Sequence, residues 1–202
     1  MDAQKRNRRR EIWNAPNIIT YVRILAIPVF VYFLSVESRR NSFVAALIFA
    51  AAAITDVLDG WLARRFDLTT VLGKFLDPLA DKLIVLAALI LLVHLGRVPP
   101  WVVVLIMSRE FAVSGLRTLA VSDGLVISAS QGGKWKTATQ LTGIICLSVH
   151  YRYPIDFLFR TDVIDFHEVG LGLLYISLVP SVLSALDYFR AFMQAVTAQP
   201  EK

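Results

Sequence analysis

Cysteine is nearly absent from this sequence, since Cys146 is the only one and lies within an apolar run. A disulfide framework within the chain is therefore excluded, and Cys146 is expected to be a small packing residue. Charge is scarce as well, because Asp, Glu, Lys and Arg make up 18% of the residues while 56% are apolar. No polar segment is long enough for a separate soluble domain. The composition therefore predicts one polytopic membrane domain.

The basic residues crowd at the start of the chain, where five of them occur between Lys5 and Arg10. In a soluble protein such a run suggests binding to nucleic acid. Here it directly precedes a hydrophobic segment, so attraction to the anionic cytoplasmic leaflet is the better interpretation. Membrane lipids are expected as partners and nucleic acid is not. No small-residue cleavage pattern closes the first apolar stretch, so no cleavable signal peptide is predicted.

A helix that spans a bilayer needs about 20 mostly apolar residues, and six such segments are predicted. The fold class is accordingly all-α, a polytopic membrane protein with six transmembrane helices. The predicted helices are 17–36, 43–64, 74–95, 100–121, 134–151 and 169–192. The flanking parts are a basic juxtamembrane segment over 1–16, a six-helix domain over 17–192, a polar loop over 152–168 within it, and a tail over 193–202.

Orientation follows from the distribution of Lys and Arg. If the N-terminus lies inside, twelve of them fall in inner segments and five in outer loops. This bias places both termini in the cytoplasm. Ionisable side chains within spanning helices are costly unless they are paired or hydrated. Most of them lie toward the cytoplasmic ends, so they are expected to line one cavity that opens to the cytoplasm.

The most informative segment has the pattern D-x2-D-G-x2-A-R-x8-G-x3-D-x3-D. Its aspartates are Asp56, Asp59, Asp77 and Asp81. At about 100° per residue, the first pair shares an arc of about 100° with Gly60 and Ala63. The second pair shares an arc of about 80° with Gly73, provided that the third helix already begins near Gly73. The loop between the two helices is short, which predicts antiparallel neighbours with four facing carboxylates.

Four close carboxylates repel one another strongly in a low-dielectric site, and divalent cations remove that cost. Oxygen ligands suit Mg²⁺, Mn²⁺ or Ca²⁺, and the absence of Cys and His from the cluster disfavours zinc. Two bridged cations would form a clamp for phosphoryl or phosphatidyl transfer. Gly60 and Ala63 would leave space for a bulky substrate, and Arg64 can reach a phosphate.

Simpler structural roles exist for individual residues of this pattern. Asp77 followed by Pro78 is typical of a helix N-cap and first helical residue. Asp59 and Arg64 can form an ordinary ion pair at a helix end. Glycine and alanine can simply allow helices to pack closely. Four aspartates together at membrane depth have no comparably simple role.

The complete pattern resembles the signature of the CDP-alcohol phosphotransferases. The resemblance implies a six-helix membrane enzyme that uses two divalent cations, Mg²⁺ or Mn²⁺, and releases CMP from a CDP-linked donor. It also implies roles for individual residues. The metals would be held by Asp56, Asp59, Asp77 and Asp81, with Asp81 as the general base. The CDP moiety would be bound by Asp56, Gly60, Ala63, Arg64 and Gly73.

Four cations outside the acidic pattern suit an acceptor that has its own phosphate. They are Arg109, Arg117, Lys134 and Lys136. Arg109 and Arg117 lie about 80° apart on one helix, so both can face one cavity. Glu110 lies about 100° from Arg109, so it is expected to point away and to balance at most one arginine. Cytoplasmic anchoring, or pairing with Glu110, is the structural alternative.

Three further segments carry a resemblance that narrows the choice of acceptor. Residues 14–23, 109–117 and 133–137 are similar to signatures of the bacterial phosphatidylglycerophosphate synthases, a branch of the same family. The resemblance implies CDP-diacylglycerol and sn-glycerol 3-phosphate as substrates, and a location in the bacterial inner membrane with a cytoplasmic active site. It adds Asn17, Thr20 and Arg23 as further site residues and leaves a homodimer open.

Other functions are compatible with the sequence. The same chemistry can use phosphatidylglycerol as acceptor, as a cardiolipin synthase does, or inositol phosphate. A divalent-cation transporter would also need carboxylates within the membrane, but neither internal repeats nor polar residues along the outer half of the path are found.

Overall fold

A computed structural model describes residues 15–65, 71–122, 132–157 and 160–197. The helices are α1 (Ala15–Ser35), α2 (Arg39–Arg65), α3 (Val71–His94), α4 (Pro100–Ser122), α5 (Gly132–Val149) and α6 (Phe166–Thr197). The strands are β1 (Arg152–Phe157) and β2 (Arg160–Asp165). Each predicted apolar segment corresponds to one helix, so the prediction of six helices is confirmed within the described residues.

Local capping explains two of the helix boundaries. The hydroxyl oxygen of Ser38 accepts a hydrogen bond from the backbone N–H of Asn41 at 3.2 Å. This N-cap starts α2 at Arg39 rather than at the predicted residue 43. Gly96, just beyond α3, has a φ of 67°. That left-handed conformation ends a helix and is easily adopted by glycine.

The prediction of a polar loop over 152–168 is wrong for most of this segment, because the segment contains a β-hairpin. The strands β1 and β2 pair in antiparallel register, with Arg152 opposite Asp165. The Arg152 Nε donates to Asp165 Oδ2 at 2.7 Å, and this bond holds the pKa of Asp165 below its usual value. Asp165 Oδ1 also accepts the N–H of His167 at 3.0 Å and so caps α6. The sequence does contain a signal for a strand, because apolar residues occur at every second position from Tyr153. The charged residues between them made the segment resemble a loop.

The helices belong to two compact units. The first comprises the described residues up to Leu95 together with Ser148–Tyr151, and it contains α1, α2 and α3. Within it, α1 packs against both α2 and α3. The rings of Phe30 and Phe49, both buried, lie 5.7 Å apart at the contact between α1 and α2. The first helix is therefore the centre of this unit.

The second unit comprises Gly96–Leu147 and the described residues from Arg152 onward. Here α4 packs against α6, and α5 approaches α6 closely through glycine. A Cβ added to Gly170 would lie 2.7 Å from Leu147 Cγ, 2.8 Å from the Leu147 nitrogen and 2.9 Å from the Gly143 oxygen. Only a residue without a side chain fits this helix crossing.

Two helices among the described residues are long and apolar enough to cross a membrane, judged by length and composition alone. They are the part of α1 from Asn17 to Ser35 and α6. The helix α4 illustrates why others fail the same test, since it contains Arg109, Glu110 and Arg117. The all-helical architecture outside the hairpin agrees with the prediction, whereas six membrane spans stay a prediction.

Replacing Gly170 with alanine is expected to destabilise the protein, because the new methyl group would meet the backbone of α5. Overpacking of this kind costs about 1–3 kcal/mol. The measurement is the unfolding temperature of the purified protein in detergent. Gly172→Ala is the matched control on the same helix, because its Cβ would meet nothing within 4 Å. Equal unfolding temperatures for the two variants would contradict the close crossing.

Candidate active site

One face of α1 is polar and buried. Asn17, Thr20 and Arg23 are spaced three residues apart and are at most 2% exposed. In an apolar helix, buried polar groups require hydrogen-bonding or charged partners. Two of these side chains have carboxylates of the acidic pattern as partners.

Arg23 contacts two of the predicted aspartates at once. Its NH1 nitrogen lies 2.8 Å from Asp56 Oδ1 and 2.7 Å from Asp81 Oδ1. Thr20 Oγ1 donates a hydrogen bond to Asp77 Oδ1 at 2.5 Å. Asp56 belongs to α2, whereas Asp77 and Asp81 belong to α3. Three of the four predicted aspartates therefore converge on α1 from two helices.

The position of Asp77 in its helix excludes the simplest structural role for it. The helix α3 begins at Val71, so Asp77 and Pro78 lie inside the helix and Asp77 is not an N-cap. This start meets the condition under which Gly73, Asp77 and Asp81 share one face. The proline had suggested a later start, because proline is commonest in the first helical turn.

The acidic cluster is negative and partly open. One guanidinium against three carboxylates leaves a net charge of −2 among the described side chains. The side chains of Asp56 and Asp81 are 38% and 42% exposed, while that of Arg23 is 1% exposed. The two carboxylates are therefore partly accessible to a ligand, whereas the arginine is not.

Several predicted site residues fall outside the described side chains, so their placement is not stated. They are Asp59, Gly60, Ala63, Arg64 and Lys134. Within the described part of the chain, no group of three Asp, Glu, His or Cys side chains could hold a metal ion. The four-aspartate metal site accordingly stays a prediction.

A second cluster of charges lies in the second unit and is centred on Glu110. Arg109 NH1 lies 3.1 Å from Glu110 Oε2, and Lys136 donates a hydrogen bond to the same oxygen. Lys136 is 5% exposed. The expectation that Glu110 points away from Arg109 is wrong. The angle between adjacent residues describes where side chains leave the helix, but two long side chains can still meet at their ends.

Arg109 is also bound to α6. Its Nε donates to the backbone oxygen of Ser181 at 3.1 Å, and its NH2 donates to Ser184 Oγ at 2.6 Å. Both serines are buried. Sequence reasoning missed them, although Ser177, Ser181 and Ser184 recur at helical spacing in an otherwise apolar stretch. The signal for a polar helix face was present but was not used.

The other predicted acceptor residue with a described side chain, Arg117, lies over an aromatic ring. Its guanidinium carbon is 5.9 Å from the centroid of Tyr188, a cation–π distance. Near Lys136, sequence reasoning missed Gln140, which lies one turn further along α5 and is 6% exposed. Its Oε1 is buried and has no hydrogen-bond partner among the described atoms. The second unit thus contains a buried hydrogen-bond acceptor, Gln140 Oε1, in addition to the paired charges.

Residues 13–189 match the family model of the CDP-alcohol phosphatidyltransferases, so this chain belongs to that family. It is therefore a transferase that acts on CDP-linked alcohols, which displaces the alternative of a cation transporter.

Several named relatives match most of the chain. The CDP-diacylglycerol–glycerol-3-phosphate 3-phosphatidyltransferase of Bacillus subtilis (strain 168) is 38% identical over 197 residues, covering 92% of this chain and 98% of the relative. The enzyme of the same name from Rickettsia bellii is 34% identical, covering 88% of this chain and 94% of the relative. A probable phosphatidylglycerophosphate synthase of Mycobacterium tuberculosis (strain H37Rv) is 37% identical, covering 89% and 82%.

Glu110 and Lys136 are expected to be coupled in stability, because removal of Glu110 leaves the buried charge of Lys136 without this partner, and removal of Lys136 leaves Glu110 paired with Arg109 alone. We predict that Glu110→Gln and Lys136→Met each destabilise the protein, and that the double variant loses less than both together. A coupling free energy of about 0.5–3 kcal/mol is typical of groups in contact. It is measured from unfolding in detergent.

Glu110→Gln combined with Arg117→Gln is the matched control for this cycle, because Arg117 contacts Tyr188 instead. Its coupling should stay within about 0.5 kcal/mol, as for independent sites. Additive losses for Glu110 and Lys136 would show that their contact contributes nothing to stability.

Proposed function

We propose that this chain transfers the phosphatidyl group of CDP-diacylglycerol to sn-glycerol 3-phosphate, a step of phospholipid biosynthesis that yields phosphatidylglycerophosphate and CMP. The geometric observation behind the proposal is the convergence of Asp56, Asp77 and Asp81 on α1. The acceptor follows from the relatives whose names specify glycerol 3-phosphate, which match 88% or more of this chain.

The donor set of the acidic cluster fits divalent cations. Its ligands are carboxylate oxygens, which suit Mg²⁺ and Mn²⁺, and its net charge is negative even with Arg23 in contact. We assign two such cations to the aspartates of the pattern, Asp56, Asp59, Asp77 and Asp81. When bound, they would neutralise the donor's pyrophosphate and the charge that develops on departing CMP.

Asp81 is assigned the role of general base. Its carboxylate accepts the proton of the acceptor's hydroxyl group, while that oxygen forms a bond to the phosphorus of the phosphatidyl group. The bond between this phosphorus and the CMP oxygen breaks in the same displacement. No covalent enzyme intermediate is required, because a carboxylate base and a good leaving group suffice.

Binding of the donor's CDP moiety is assigned to the two helices of the acidic pattern. The proposed residues are Asp56, Gly60, Ala63, Arg64 and Gly73. In α3, Gly73 lies one turn before Asp77 on the same face, because the helix already begins at Val71. A residue without a side chain on that face leaves room for the nucleotide.

The acceptor's phosphate is assigned to the cations of the second unit, Arg109, Arg117, Lys134 and Lys136. Arg109 and Lys136 share Glu110, so this cluster keeps a net charge of +1. A phosphate dianion is attracted to it and can accept hydrogen bonds from both cations. Arg117 keeps its charge as well, because contact with the Tyr188 ring does not neutralise it.

The proposed setting is the inner membrane of a bacterium, with six spans and both termini and the active site in the cytoplasm. Support comes from the two apolar helices and from the excess of basic residues in the predicted inner segments. A homodimer stays a prediction.

Activity is expected to require a divalent cation and all four aspartates. Asp56→Asn, Asp59→Asn, Asp77→Asn and Asp81→Asn should each lower kcat by about 100-fold or more, the scale of losing one preorganised electrostatic group. The measurement is CMP release by purified protein, with and without EDTA. Asp187→Asn is the control, because this aspartate of α6 is exposed. Normal turnover in EDTA, or in two of the four variants, would refute the two-metal proposal.

Loss of an acceptor cation should raise the KM for glycerol 3-phosphate and leave donor binding unchanged. A charged hydrogen bond of about 1.5–3 kcal/mol corresponds to a loss of about 10- to 150-fold in kcat/KM for Arg117→Gln or Lys136→Gln. Arg109→Gln is less suitable, because Arg109 also holds α6 through Ser181 and Ser184. Lys136→Gln is assayed at a temperature at which it stays folded, because it also removes a partner of Glu110.

The control for this pair is Arg190→Gln, at an exposed position of α6. CDP-diacylglycerol binding, measured without acceptor, separates the two substrate sites. If the variants lose donor affinity and keep the acceptor KM, these cations belong to the nucleotide site instead.

A further inference from the structure

Gln140 presents a buried amide oxygen in the second unit. The residue is 6% exposed, and its Oε1 has no hydrogen-bond partner among the described atoms. A buried acceptor without a donor lowers the stability of a protein, so each such group needs an explanation. One explanation is a ligand whose N–H or O–H group donates to this oxygen.

Gln140 shares one face of α5 with Lys136. At about 100° per residue, Lys136, Gln140 and Gly143 fall within an arc of about 60°. Gly143 shows where this face points, because a Cβ added to it would lie 3.2 Å from the backbone nitrogen of Leu174 in α6. The face of α5 that contains Gln140 is therefore turned toward α6.

Two close contacts set the register between α5 and α6. Gly143 lies beside Leu174, and one turn further along α5 Leu147 lies beside Gly170. The two helices are therefore antiparallel. Each turn of α5 toward its N-terminus corresponds to one turn of α6 toward its C-terminus.

This register brings buried polar groups of the two helices to the same level. Lys136 comes level with Ser181, whose backbone oxygen accepts a hydrogen bond from Arg109. The same arginine shares a carboxylate with Lys136, which supports this level independently. Gln140 lies one turn further along α5, about 6 Å from Lys136 along the helix axis. The amide is therefore next to the cations that are proposed to bind the acceptor's phosphate.

The chemistry of the proposed acceptor limits what Gln140 Oε1 can bind. A phosphate dianion has only acceptor oxygens, so it cannot donate a hydrogen bond to an amide oxygen. The two hydroxyl groups of glycerol 3-phosphate can donate. The terminal one attacks the phosphatidyl group in the proposed reaction, whereas the one on the middle carbon does not react. The middle hydroxyl group is also the one nearer to the phosphate, so it suits a side chain one helical turn from Lys136.

We propose that Gln140 recognises the middle hydroxyl group of the acceptor, with its Oε1 accepting the hydrogen bond of that group. Gln140 is then a specificity-determining residue, because it distinguishes glycerol 3-phosphate from a phosphorylated alcohol that lacks this hydroxyl group. The inference rests on the proposed function, and it assigns a part of the acceptor that the cations do not bind.

The test compares sn-glycerol 3-phosphate with 3-hydroxypropyl phosphate, which lacks only the middle hydroxyl group, by CMP release from CDP-diacylglycerol. The wild type should have a kcat/KM about 10- to 100-fold higher for glycerol 3-phosphate, because the analogue leaves a buried acceptor without its donor. Gln140→Met has a side chain of similar size without the amide. It should lower kcat/KM for glycerol 3-phosphate by about the same factor and keep that for the analogue within about 3-fold of the wild-type value.

Thermal unfolding in detergent without substrates gives a second readout. Since Oε1 has no partner among the described atoms, Gln140→Met should unfold at the wild-type temperature or above it. A lower unfolding temperature, or failure to fold, would show that the amide supports the fold and would overturn the proposal.

Thr142→Val is the matched control on the same helix. Thr142 is exposed, and its hydroxyl group donates to the backbone oxygen of Ala138 at 2.8 Å. Its preference between the two acceptors should equal that of the wild type. A changed preference in this variant would show that acceptor choice responds to any alteration of α5, which would overturn the role of Gln140.

The outcomes separate this inference from the proposed function. Equal losses for both acceptors in Gln140→Met would show that the amide contacts the phosphate or acts through the fold, and an unchanged preference would show that it does not read the hydroxyl group. Either result overturns the inference while transfer to glycerol 3-phosphate stands. Failure of the wild type to release CMP with glycerol 3-phosphate would overturn the proposed function itself, and with it this inference.

Discussion

A charged group buried among apolar helices must have a partner of opposite charge, and the contact of Arg23 with Asp56 and Asp81 meets this requirement in the first unit. The contact joins α1 to α2 and α3, so the same charges link the three helices and gather the acidic side chains. The arginine is buried whereas the aspartates are partly exposed. The pairing therefore holds the two carboxylates and still leaves them partly accessible.

The second unit follows the same rule with the signs reversed. Glu110 is the common partner of Arg109 and Lys136, and Ser181 and Ser184 each accept one further hydrogen bond from Arg109. Neither cluster is neutral, because the first has an excess of carboxylates and the second an excess of cations. A divalent cation would balance the excess negative charge of the first cluster, and a phosphate would balance the excess positive charge of the second. The proposed metal and phosphate sites rest on this incomplete pairing among the described side chains.

Hydrophobic periodicity and the acidic spacing were enough to predict the six helices and the shared face of Gly73, Asp77 and Asp81. The structure begins α3 at Val71, three residues before the predicted start, so the alternative role of Asp77 as an N-cap before Pro78 is wrong. The hairpin after α5 was missed because its charged residues resemble those of a loop. Glu110 was predicted only as an alternative partner for Arg109, and the carboxylate partners of Arg23 were not predicted. They depend on which helices are neighbours and on how far long side chains reach, and a single sequence does not contain that information.

The roles proposed for the aspartates and the cations depend on the identity of the two substrates. The most direct measurement is CMP release by the purified protein from CDP-diacylglycerol, with a panel of acceptors and Mg²⁺ or Mn²⁺. We expect CMP to form when sn-glycerol 3-phosphate is the acceptor, and phosphatidylglycerophosphate to be the lipid product. CMP release with phosphatidylglycerol or inositol phosphate, and none with sn-glycerol 3-phosphate, would contradict it.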